Sequence, residues 1–209
     1  MPLRPLPARA ALVVLVTLCA ATAFALAPIS AASAADVSHP ANGPLPVSVD
    51  DGALARSDDS AALLASRRLI IPVAGVLRRS LRDTFNERRG SGRHEAIDIA
   101  APRGTPVVAA GDGRIVKLFD SVPGGRTIYQ FDRDDVFAYY YAHLEAYAEG
   151  LREGNPVKCG DVLGYVGSTG NAAAGAPHLH FAIFRLGRER AWWQGAPMNP
   201  HPYLNDPER

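Results

Sequence analysis

Histidine is scarce in this chain, with six among 209 residues, yet four of the six fall in three short motifs. The first is His94-Glu95-Ala96-Ile97-Asp98. Read as a strand, it puts His94, Ala96 and Asp98 on one face and Ile97 and Ile99 on the other. A helix would also bring His94 and Asp98 together, four positions apart. The β-branched residues and Pro102 favour a strand ending there. The second motif is Pro177-His178-Leu179-His180-Phe181, where a period of two sets His178, His180 and Ala182 opposite Leu179, Phe181 and Ile183. The third, Tyr139-Tyr140-Tyr141-Ala142-His143-Leu144, ends a strand on whose His143 face Phe137, Tyr139 and Tyr141 are expected. A hydrolytic zinc site takes three ligands from His and carboxylate groups and keeps one open position for water. Such a site lowers the pKa of its water toward ~7 and polarises a carbonyl. Four histidines and an aspartate exceed what three ligands need, and the surplus pair suits proton transfer and oxyanion stabilisation. His39 and His201 stand outside these motifs and read as ordinary surface or packed residues.

The elements that must position these groups are short and β-rich. The runs Ile97–Ala101, Pro106–Ala110, Arg114–Phe119, Arg126–Phe131, Val136–His143, Asp161–Val166 and His178–Leu186 are separated by Gly, Pro and Asp turns. That spacing predicts a mainly β fold, a compact antiparallel sheet or sandwich with a few short helices. Leu144–Gly150 is the one helical stretch expected inside this region, and a short helix is expected over Ser60–Ile71, ended by Pro72.

Upstream, Arg4 and Arg9 precede an apolar run from Ala10 to Ala27 and the small residues Ser30 to Ala35, so residues 1–35 read as a secretory signal peptide. An uncleaved membrane anchor is the other reading, since the run is just long enough to span a bilayer. Cleavage leaves no further membrane span, and an exported protein, periplasmic or extracellular, with the single cysteine Cys159. Residues 36–69 read as a linker with a propeptide-like helical part, and residues 70–209 as the catalytic domain with an extension from about residue 187. The +1 formal charge excludes an obvious nucleic-acid partner. The pairs Arg67-Arg68, Arg78-Arg79 and Arg88-Arg89 read as solvated surface, the last near the expected groove. Trp192-Trp193 reads as packing over the end of the sheet or as a substrate shelf.

The run from His94 to Val107 resembles the HxGxDxxAPxGTPV signature of the lysostaphin/LytM-type zinc endopeptidases. Tyr141-Ala142-His143-Leu144, the segments Gly160–Gly164 and Gly167–Gly170, and His178-Leu179-His180-Phe181 follow in that family's order. The resemblance implies a LytM-like fold with a duplicated hybrid motif and one Zn2+ per chain. It implies His94, Asp98 and His180 as metal ligands and His143 and His178 as the non-ligand catalytic histidines. It also implies a peptidoglycan peptide as substrate. Asn86, Tyr141 and Thr169 are the candidate substrate contacts. The chain departs from the pattern at Ala96 and Asn86, where glycine is usual, which bears on the shape of the groove. A non-catalytic envelope module that binds or activates other wall hydrolases is the alternative, separated by whether the ligands are retained; here all five positions are. A histidine phosphocarrier is a third reading, opposed by the signal peptide.

Overall fold

The structure, a computed structural model, describes residues 53–207, with side chains from Asp59 onward. The expected signal peptide, most of the expected linker and His39 lie outside the described residues. The elements run in order α1 (Ala53–Ala65), β1 (Arg88–Arg89), β2 (Gly92–Arg93), β3 (Ile97–Ala100), β4 (Pro106–Val108), β5 (Gly113–Ser121), β6 (Gly125–Asp132), β7 (Phe137–Tyr147), β8 (Pro156–Val157), β9 (Val162–Val166), β10 (His178–Leu186) and β11 (Gly195–Met198), with single 3-10 turns at Arg78–Ser80 and His201–Tyr203. Strands β1 and β2 form a hairpin of their own; the other nine make one sheet, in which β11-β10-β7-β6-β5-β8 is the main path. Its strand pairs are antiparallel. The expected β architecture is therefore present.

Alternation along the strands divides the sheet into two faces. His180 lies opposite both Asp98 and Ala142, while Phe181 lies opposite Ile97 and Tyr141. Because paired residues share a face, Ile97, Ile99, Leu179, Phe181, Ile183, Tyr139 and Tyr141 point into the core, where all are at most 2% exposed. Leu64, Leu69, Ile71, Val107, Leu163, Val166 and Leu204 complete that core. On the other face, Phe131, Ala138 and Leu186 form a smaller cluster with Val116, Phe184 and Trp192 packed against it.

Three expectations about elements change. Leu144–Gly150 is not helical: β7 continues to Tyr147, with Leu144, Ala146 and Tyr147 paired to Val166, Tyr165 and Gly164 of β9. Seven residues form too few internal bonds to hold a helix against a free strand edge. The upstream helix occupies Ala53–Ala65, not Ser60–Ile71. Arg68 follows it with a φ of +50°, and Leu69 then enters the core. The packed unit therefore begins before residue 70. Arg67 is not solvated surface either. Its side chain is 6% exposed and its Nη2 lies 2.8 Å from Asp132 and 2.7 Å from Asp134 in the β6–β7 turn.

Candidate active site

His180 and Asp98 face each other across the β10–β3 ladder. His94 arrives from outside the strand. Its chain is kinked by Glu95, which has a φ of +56°, so His94 and Asp98 are not neighbours on one straight strand, as the pattern suggested. The kink still brings His94 Nε2 to 3.1 Å from Asp98 Oδ1. His180 Nδ1 lies 3.3 Å from the same oxygen and 3.1 Å from His94 Nε2. His178 Nε2 stands farther out, at 3.7 Å from Asp98 Oδ1.

His143 enters the site by a different device. Strict alternation would turn it to the core beside Tyr141. Instead its φ is +63°, and β7 carries an extra residue where Tyr141 pairs with Ile128 and Leu144 with Arg126. This bulge re-aims the side chain. The ring lies 5.0 Å from that of His178 and 5.6 Å from that of His180, on the face opposite Tyr141.

Three of the imidazoles, His94, His143 and His178, are held by their other nitrogen, which fixes the nitrogen left for chemistry. His143 Nδ1 donates to the Thr169 carbonyl at 2.8 Å, and His178 Nδ1 to the Ala176 carbonyl at 2.9 Å. His94 Nδ1 lies 3.2 Å from both the carbonyl and the hydroxyl of Thr84. The Thr84 hydroxyl also accepts from the Asp98 backbone N–H at 3.2 Å. Thr84, 8% exposed, thus buttresses two members of the cluster. Nothing in its sequence context singles it out, because the contact closes a loop that only the fold creates.

Of the candidate substrate contacts, Tyr141 is fully buried in the core. Its hydroxyl donates to Gln130 Oε1 at 2.7 Å and accepts from the Ala110 N–H at 3.0 Å. It supports the sheet from behind and offers no surface to a substrate. The Thr169 hydroxyl is engaged between the Arg126 N–H and the Leu144 carbonyl; with its carbonyl on His143, the residue is a support for the imidazole. Asn86 is exposed before the β1–β2 hairpin and accepts from Arg93 at 3.0 Å. Trp192 packs on Tyr129 and Phe119 at ring distances of 4.8 and 5.8 Å, while Trp193 is 51% exposed.

The electrostatics favour a cation. Burial by itself would raise the Asp98 pKa, but the facing imidazoles of His180 and His94 outweigh it and hold the carboxyl far below the usual range. Burial pushes His180 down, and it pushes His143 down to about 4, so these imidazoles are neutral near pH 7. Asp98 Oδ1 is buried without a hydrogen-bond donor of proper geometry. Ligand atoms bonded to a tetrahedral zinc at ~2.0–2.1 Å lie about 3.3 Å apart. The three atoms here are separated by 3.1, 3.1 and 3.3 Å. His94, Asp98 and His180 could thus hold one metal ion.

Residues 92–200, more than half of the chain, match the model of peptidase family M23. The chain belongs to this family. The matched region includes β11, an edge strand paired to β10 over Ile183–Leu186, so residues 187–200 lie within the family region. Among curated M23 relatives, the chain is 33% identical over 138 residues to the L-Ala--D-Glu endopeptidase of Bacillus subtilis (strain 168), covering 62% of this chain and 41% of that protein. It is 38% identical over 91 residues to lysostaphin of Staphylococcus simulans, covering 43% of this chain and 18% of that protein. The chain thus spans less than half the length of either relative. Among solved structures, it superposes on Csd3 of Helicobacter pylori with a TM-score of 0.51 at 28% identity, covering 66% of this chain and 33% of that one. It also superposes on a catalytic-domain variant of the prophage-encoded M23 protein EnpA from Enterococcus faecalis, with a TM-score of 0.51 at 25% identity, covering 63% and 94%.

Proposed function

We propose that the chain is an exported zinc endopeptidase that hydrolyses peptide bonds in peptidoglycan cross-links or stem peptides. The observation that carries this reading is the spacing of His94 Nε2, Asp98 Oδ1 and His180 Nδ1, which suits a tetrahedral metal, beside two further imidazoles that are not needed as ligands. His94, Asp98 and His180 would hold one Zn2+ per chain, which when bound supplies an acidified water and a polarised carbonyl. The other steps fall to the protein. His143 and His178 each keep Nε2 free, because Nδ1–H is donated to a backbone carbonyl. Both rings can hold the attacking water by that lone pair, take its proton and pass it to the leaving amine. In the protonated state the same N–H faces the oxygen that gains charge during the attack. The neutral form of His143 at pH 7 suits the acceptor role.

Retention of all five residues, with four of them on fixed hydrogen bonds, favours catalysis over a binding module. Export rests on the signal-like sequence of residues 1–35, and among the described residues no helix is long and apolar enough to cross a membrane. Purified peptidoglycan incubated with the zinc-loaded protein should release peptide fragments detectable by mass spectrometry. His180→Ala should lose both the metal and the release; release by a metal-free protein would contradict the assignment.

A further inference from the structure

Asp98 divides its two oxygens between different partners. Oδ1 faces His94 Nε2 and His180 Nδ1. Oδ2 accepts a hydrogen bond from Arg89 Nη2 at 2.8 Å. The same Nη2 lies 3.3 Å from Glu87 Oε2, so two carboxylates fix the guanidinium. The hairpin that carries Arg89 is itself tied to the ligand segment. His94 N–H donates to the Glu87 carbonyl at 2.8 Å, and Glu95 N–H donates to the Phe85 carbonyl at 2.9 Å. Hairpin, His94 and Asp98 thus form one connected unit.

Stability does not account for this arrangement. The Arg89 side chain is 52% exposed, and exposed ion pairs contribute at most about 1 kcal/mol. A geometric role does account for it. A carboxylate free to rotate can offer both oxygens to one ion and fill the position a hydrolytic site needs for water. A carboxylate with one oxygen already bonded to Arg89 offers only the other.

We propose that Arg89 is a positioning residue that holds Asp98 as a one-oxygen ligand and thereby sets the affinity of the His94–Asp98–His180 group for zinc. This rests on the zinc reading given above. Two effects oppose each other. The positive guanidinium repels a cation, while the fixed carboxylate is already oriented for it. Orientation dominates, as it does for outer partners of metal ligands generally. The sign of the effect is therefore diagnostic.

The experiment is the zinc Kd of the full chain and of R89M, R89K and E87Q, measured by competition with a chelating dye, with thermal unfolding of each metal-free protein alongside. R89M should bind zinc about 10- to 100-fold more weakly. R89K, which keeps the charge but not the planar fork, should fall between R89M and the parent. E87Q, which loosens only the second tether, should lose a few-fold. Metal-free unfolding temperatures should stay together. Zinc binding by R89M as tight as the parent's, or tighter, would overturn the proposal, and so would a loss that follows the unfolding temperature. No substrate enters this readout. Failure of the zinc-loaded parent to release peptidoglycan fragments would count against the hydrolase reading and leave the zinc measurement intact.

Discussion

At the scale of single residues, His94, His143 and His178 each present one ring nitrogen to the site while the opposite nitrogen is tied to the backbone. Thr84 shows how far this reaches, since one hydroxyl serves both His94 and the Asp98 backbone. T84V keeps the shape and removes the hydroxyl, so it should weaken zinc binding by about 10- to 100-fold, measured by dye competition, without unfolding the protein. The burial of His143 has a pH consequence. Its folded pKa of about 4 lies below the ordinary value near 6.5. Between those values the unfolded chain binds a proton that the folded chain does not, so stability rises with pH across this window. His180 is shifted in the same direction. The metal-free protein should hold its full stability above pH 6.5 and lose it as pH falls toward 4. H143Q should show a shallower loss in denaturant titrations. That His94, Asp98, His143, His178 and His180 gather in one place was legible from their types and spacing. The way His143 faces was not, because period two predicts the core side and only a φ of +63° reverses it. Tyr141 was misread for the same reason, being placed on the face that His143 leaves.

At the scale of elements, the loop that carries Thr169 must approach the β5–β6 turn closely. Gly125 has a φ of +60°, and a Cβ there would lie 2.2 Å from Thr169 Oγ1 and 2.4 Å from the Gly170 nitrogen. G125A should therefore displace Thr169 and release His143, with a large loss of peptidoglycan cleavage and a small change in zinc affinity, since His143 is outside the proposed ligand set. The purpose of Gly167 and Gly170, close backbone approach to Glu145 and Gly125, was not legible, because each needs a partner from another strand. The same limit applies to Leu144–Gly150, where the local pattern allowed a helix and the free edge of β9 decided for a strand. Helix α1 places Leu64 in the core at 0% exposure. L64A should cost about 2–5 kcal/mol of unfolding free energy, measured by urea titration. Through Arg67, the chain after this helix is anchored at the β6–β7 turn, the opposite end of β7 from His143. The described part of the expected propeptide-like segment thus acts as structure. Removal of residues up to 69 should destabilise the domain, because it takes Leu64 and Leu69 from the core.

At the scale of the whole molecule, one sheet uses its two faces for different work. One face is the hydrophobic core. The other carries the proposed metal site at the His180 end and a small, largely aromatic cover at the Leu186 end. The alternation that separates them at the site was legible from sequence, because Ile97–Ile99 and His178–Phe181 set polar against apolar positions with period two. The near-neutral charge gives the molecule no general attraction to a charged polymer, so under the proposed function recognition of a wall peptide falls to the site itself. The central claim is that this groove cleaves peptidoglycan peptides through a metal held by His94, Asp98 and His180. Mass spectrometry of soluble fragments from purified peptidoglycan tests it most directly, with the zinc-loaded protein, the same protein after chelation, and the chelated protein resupplied with zinc. The account predicts new peptide termini in the first and third samples and none in the second. Absence of fragments from the zinc-loaded sample, or equal release after chelation, would contradict it.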